Sequence, residues 1–123
     1  MSRPDWLVAA TRAACALRAE TVGAAGARHS VYVVLLHDPR SGPHGAGRHG
    51  LYVGQSARDP DWRFDQHKAG YKASSAVRRF GTMLLPDLVA HLNPLHGWES
   101  LELEAGLAEA FRAAGIGWVE GGH

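Results

Sequence analysis

An arginine and a histidine, Arg63 and His67, stand four residues apart in a segment that reads as a helix, so both side chains share one face. Asp59 is a good N-cap, and Pro60 suits the first helical position because its missing N–H would be unpaired there. Gly70 is a natural stop. Before this helix comes a short apolar strand, Leu51-Tyr52-Val53-Gly54, and Gly54 is expected to make a tight exit into the polar Gln55-Ser56. A guanidinium and an imidazole on one face, opposite the strand's tyrosine, could hold and cleave a phosphodiester. The plainer reading of the same spacing is a solvated polar face beside a buried tyrosine.

A carboxylate comes from the far end of the chain. Residues 98–114 read as a helix stopped by Gly115, with Leu103, Leu107, Ala110 and Ala114 as its apolar stripe and Phe111 on one shoulder. Glu102 and Glu109 project on the far side, into water. Glu104 falls beside Phe111 at the margin of the stripe, where a carboxylate can reach a cleft while its stem packs on the core. The competing reading is a peripheral Glu whose head bends into solvent. Residues 116–119 then form a short closing strand.

The remaining elements must position these groups. Residues 29–36 are β-branched and apolar and carry the strongest strand signal, with Tyr32 within them. Residues 37–50, rich in Pro and Gly, read as a loop that joins this strand to the next in a hairpin. His37, His44 and His49 lie in or beside that loop, where glycine-rich surroundings offer a metal no fixed ligand geometry. At the N-terminus, residues 3–22 read as an amphipathic helix with Ser2 as cap and Leu7, Ala10, Ala14 and Leu17 inward. Cys15 reads there as a small packing residue among alanines. Residues 74–81 suggest a short helix with a Ser cap and a Gly stop. The apolar run 82–92 is interrupted by Pro86, which favours a short helix beginning near that proline over a strand. The order predicts an α/β domain of the α+β kind, with a small three-stranded mixed or antiparallel sheet flanked by helices.

At 123 residues the chain suits one domain, with residues 1–28 as a helical extension and 29–121 as the core. A single cysteine excludes an internal disulfide framework and any Cys-based zinc site within one chain. No apolar run approaches membrane-spanning length, and the first residues lack the basic and apolar regions of a signal peptide, so a cytoplasmic protein with no membrane partner is the expectation. The net charge of +1 divides unevenly. Residues 58–79 carry Arg58, Arg63, Lys68, Lys72, Arg78 and Arg79 against Asp59, Asp61 and Asp65, a local +3, and the remaining 7 basic and 9 acidic residues give −2. That pattern fits a footprint for a polyanion and equally an ordinary solvated face.

Taken together, residues 29–121 resemble the GIY-YIG nuclease superfamily. Ser30-Val31-Tyr32 matches the first motif in its tyrosine, with Ser30 in place of the glycine, and Tyr52-Val53-Gly54 matches the second, followed by the polar Gln55-Ser56. The family's helix arginine falls on Arg63, the histidine one turn later on His67, and the metal-binding glutamate of the last long helix on Glu104. Tyr32 and Tyr52 are further apart than usual, and the polar residue found near the end of many members has no counterpart.

The resemblance implies a metal-dependent endonuclease that hydrolyses DNA, with RNA left open as a substrate. Glu104 would hold one divalent cation, Mg²⁺ or Mn²⁺, and Arg63 would contact the phosphate. Tyr32 is the implied base or water-positioning group, with Tyr52 and His67 beside it; whether Tyr32 or His67 takes the proton is open. Gln55, Ser56, Lys68, Tyr71, Lys72, Arg78 and Arg79 would contact the nucleic acid. The competing function is a catalytically inactive module of the same fold that binds nucleic acid or protein. A homodimer is compatible with either.

Overall fold

The run of valines and leucines around Tyr32 is apolar on both faces, and in the computed structural model it is covered on both. It forms the middle of strand β1 (Ser30–Asp38), paired antiparallel with β2 (Arg48–Ser56) from Ser30↔Ser56 to Asp38↔Arg48. The structure describes residues 3–42, 45–70 and 73–122, so Ser2, His44, Tyr71 and Lys72 lie outside the described residues. Both strands reach further into the expected 37–50 loop than its composition suggested. His37 and His49 stack across the pair with ring centroids 4.5 Å apart, and that contact favours continued pairing.

Helix α1 (Asp5–Cys15) precedes the hairpin, and helix α2 (Pro60–Ala69) and helix α3 (Ser75–Phe80) follow it. Strand β3 (Gly81–Leu84), two short 3₁₀ turns, helix α4 (Gly97–Ala113) and strand β4 (Val119–Gly121) complete the chain. The fold is α+β with a four-stranded mixed sheet in the order β3-β1-β2-β4, where β3 lies antiparallel to β1 and β4 parallel to β2. This corrects the expected three strands. Strand β3 is only four residues long and ends just before Pro86, so its signal merged with the 3₁₀ turn that begins at that proline. The closing strand also lies later than the expected 116–119, because Ile116 turns inward and joins the core.

Alternation in the sheet makes two cores. Val31, Val33, Leu51 and Val53 face α1 and α4, packing with Ala10, Ala14, Leu107 and Phe111. Tyr32, Val34 and Leu36 point to the other face with Ala76 and Val77 of α3, and Phe64, Phe80 and Trp118 pack around them. Each fully buried aliphatic side chain contributes on the order of 1.5–3 kcal/mol. Beyond the reach of β3, the Asn93 amide serves the open edge of β1, accepting from the Val31 N–H at 2.9 Å and donating to its C=O at 2.8 Å.

Helix α1 ends at Cys15, well short of the expected residue 22. It is kept from reaching the expected end by a tertiary contact: the buried Glu99 carboxylate accepts from the backbone N–H groups of Glu20 and Thr21 at 2.8 and 2.7 Å and from the Thr21 hydroxyl at 2.6 Å. Those N–H groups cannot also serve a helix. Cys15, at the helix end, is exposed instead of packed as expected. Among the described residues no helix is long and apolar enough to cross a membrane.

Candidate active site

Tyr32 lies directly opposite Gly54 in the β1–β2 register. A Cβ at position 54 would stand 2.4 Å from Tyr32 Cζ and 2.5 Å from its hydroxyl oxygen, so only glycine lets the phenol lie across β2. Gly54 is therefore not the tight exit expected of it. The strand continues through it to Ser56, and its missing side chain is the seat of the Tyr32 ring. Two residues earlier on the same face, Tyr52 places its ring centroid 6.2 Å from that of Tyr32, with the planes tilted by 35°.

Helix α2 follows its local signals. The Asp59 side chain accepts from the Asp61 N–H at 2.8 Å, Pro60 starts the helix, and Gly70 ends it at a left-handed φ of 88°. The helix turns His67 inward until it is 1% exposed, while Arg63 is half-buried one turn earlier. His67 Nε2 lies 2.9 Å from the Tyr32 hydroxyl, and its ring meets Tyr52 edge-on at 5.5 Å. On the far side of the imidazole, the backbone N–H of Ser74 donates to Nδ1 at 2.9 Å.

That last bond decides the tautomer. A nitrogen that accepts from an N–H carries no proton, so neutral His67 holds its hydrogen on Nε2 and donates it to Tyr32. A second proton would turn Nδ1 into a donor facing a donor. Burial, and after it the Arg63 charge, lowers the His67 pKa from its ordinary 6.5 to about 4. His67 is neutral at physiological pH.

Burial also raises the Tyr32 phenol well above its ordinary value, and Tyr52 raises it further; Arg63 works in the opposite direction, and the Glu104 charge adds to the rise. Tyr52 is raised by burial and by Glu104, against the Tyr32 hydroxyl and Arg63, which lower it. Arg63 and Glu104, a cation and an anion from two different helices, thus act on the same pair of hydroxyls. Glu104 is 8% exposed on α4, whereas Glu102 and Glu109 are exposed. No group of three or more His, Cys, Asp or Glu side chains among the described residues could enclose a metal ion. A single carboxylate fits Mg²⁺, which keeps several waters and shares its shell with substrate phosphates.

The outer candidates divide. Gln55 accepts from the Ser100 hydroxyl at 3.1 Å, and Ser56 accepts from the Arg58 N–H at 2.9 Å. The Lys68 ammonium donates to the carbonyls of Val77, Arg78 and Gly81 at 3.4, 3.1 and 3.0 Å, so its charge closes the end of α3. Arg78 and Arg79 are exposed. Tyr71 and Lys72 are outside the described residues. The participant missed in the sequence is the Ser74 backbone: Ser74 reads there only as a helix cap, and a main-chain N–H has no residue signature.

No protein-family model matches the chain, and no curated protein or solved structure is significantly similar to it.

Proposed function

We propose that this protein is a metal-dependent endonuclease of the GIY-YIG type that hydrolyses phosphodiester bonds in DNA, with Tyr32, Tyr52, Arg63, His67 and Glu104 as its site. The observation that carries the proposal is the chain Ser74 N–H to His67 to Tyr32, in which a buried neutral imidazole delivers a hydrogen bond to a phenol oxygen. His67 thus accepts at Nδ1 and donates at Nε2, and its one hydrogen is aimed at the Tyr32 oxygen.

The roles follow from what each group can give. His67, with Nε2 protonated, cannot accept the proton of an attacking water in this arrangement. It stabilises negative charge on the Tyr32 oxygen, which makes Tyr32 the proton acceptor once ionised. Arg63 favours that ionised form and offers a planar fork to a phosphate oxygen. Tyr52, whose ring lies against that of Tyr32, packs on the second side of the phenol. Glu104 is the residue to hold Mg²⁺ or Mn²⁺, which when bound supplies neutralisation of the charge that builds on the phosphate. Neutralising Glu104 also removes its contribution to the raised pKa of both phenols. The water oxygen attacks phosphorus as ionised Tyr32 takes its proton, and the bond from phosphorus to the leaving oxygen breaks with its electron pair on that oxygen, which is protonated from solvent.

Burial favours a second reading, a module that binds nucleic acid without cutting it, because it raises both phenols above their ordinary value and so opposes the ionised form that takes a proton. Supercoiled and linear DNA incubated with the protein, with and without Mg²⁺ or Mn²⁺, separates the two. Metal-dependent nicking that disappears in Arg63→Ala supports the nuclease; salt-dependent binding with no cutting supports the module.

A further inference from the structure

On the tyrosine face of the sheet, four residues along the strands from Tyr32 and Gly54, lies the pair Leu36↔Gly50. Over it runs a band of two rings flanked by cations, in the order Arg48, Trp118, Phe80, Arg79. Trp118 presses on Gly50, where a Cβ would stand 2.5 Å from the indole. The Arg48 guanidinium lies 5.1 Å from the Trp118 ring centroid and donates to the Gly117 carbonyl at 2.8 Å. Phe80 meets Trp118 edge-on at 5.3 Å, and Arg79 sits 5.0 Å from the Phe80 centroid. Arg79 and Phe80 then line a surface cleft of about 440 Å³ with Asp38, Pro39 and Arg40.

We infer that this band is a track for the sugar–phosphate backbone of the nucleic acid, an inference that rests on the nuclease reading of the neighbouring site and extends it to substrate placement. Trp118 is closed to base stacking, because Gly50 lies against the ring and Arg48 is mounted on it. What the band presents outward is guanidinium. Arg40, Arg48 and Arg79 are exposed, and the two nearby carboxylates are engaged locally: Asp38 accepts from the Arg40 N–H at 3.0 Å, and Glu120 accepts from the Trp118 indole at 3.2 Å. An arginine already held on a ring loses less side-chain freedom when it binds, and its fork suits phosphate. At roughly 3.3 Å per strand residue the band is about 13 Å from Tyr32 along the sheet, which corresponds to about four phosphates along one strand of a duplex. The track therefore grips the backbone well outside the scissile step.

The test is binding of the full chain to a 30-base-pair duplex without divalent cations, as a function of salt. Each phosphate contact contributes about 0.9 to the slope of log affinity against log salt, so Arg48→Gln with Arg79→Gln is expected to lower the slope by about 1.8. Arg48→Lys with Arg79→Lys is expected to keep the slope, since the charge remains, while affinity falls several-fold with the fork and the ring mount. Where Arg48→Gln does not fold, Arg79→Gln alone is expected to remove about 0.9 of slope. Folded Gln variants with the slope and affinity of the unmodified protein overturn the track; if that protein still cuts DNA, the nuclease reading stands without it. Absence of both binding and cutting in the unmodified protein overturns both.

Discussion

Ser74 offers a way to test the tautomer without touching the imidazole. Its φ of −67° already lies where a proline ring would hold it, so Ser74→Pro removes the N–H that faces His67 Nδ1 with little backbone cost. It also removes the hydroxyl that accepts from the Val77 N–H at 3.4 Å. Ser74→Ala loses that same cap, worth about 1 kcal/mol, but keeps the N–H, so the difference between the two variants reports the N–H alone. A net hydrogen bond of about 0.5–1.5 kcal/mol that stabilises only neutral His67 corresponds to about 0.4–1.1 pKa units. His67 is expected to titrate near 4 in the unmodified protein and in Ser74→Ala, and measurably higher in Ser74→Pro. Long-range ¹H–¹⁵N spectra of the imidazole give both tautomer and titration. They are expected to show the Nε2–H form in the unmodified protein and a growing Nδ1–H fraction in Ser74→Pro. An Nδ1–H tautomer or a titration near 6.5 in the unmodified protein would refute the reasoning, as would identical behaviour of the two variants.

The same shift predicts a pH dependence of stability. Because the folded-state pKa of His67 is lowered from 6.5 to about 4, the unfolded chain binds more protons between those values. The contribution is complete above pH 6.5 and is lost as pH falls toward 4. Its ceiling is about 3 kcal/mol, and solvent screening brings it to about 1–2 kcal/mol, which denaturant melts at pH 7 and pH 4 on the protein and on His67→Gln will measure. Gly54→Ala places a methyl against the Tyr32 ring and is expected to lower cleavage at least 100-fold by displacing the phenol, read by single-turnover kinetics beside a thermal melt. Asn93→Ala strands both Val31 main-chain groups within the fold and is expected to cost about 2–4 kcal/mol in a denaturant titration.

Features encoded by neighbours in the chain were legible from the sequence. Asp59, Pro60 and Gly70 bound α2 where their types predict, and the apolar run around Tyr32 gives a strand that pairs with its neighbour in a hairpin. Features encoded by distant contacts were not. Nothing in residues 16–22 signals that Glu99 will take the N–H groups of Glu20 and Thr21, so the first helix read too long. Lys68 reads as a surface cation because charge is visible in a sequence and three accepting carbonyls are not. Gly54 reads as a turn because glycine usually signals conformational freedom, whereas this one supplies empty space. The Arg48–Trp118 mount joins residues 70 positions apart in the chain, and neither type alone suggests the other.

The nuclease account is tested most directly by paired carboxylate variants on α4. Glu104 is buried beside the site and Glu109 is exposed on the same helix, so loss of a general helix property would affect both. Cleavage of supercoiled DNA in Mg²⁺ is expected to vanish in Glu104→Ala and to persist in Glu109→Ala, with both variants folded. No cleavage by the unmodified protein, or equal effects of the two substitutions, contradicts it.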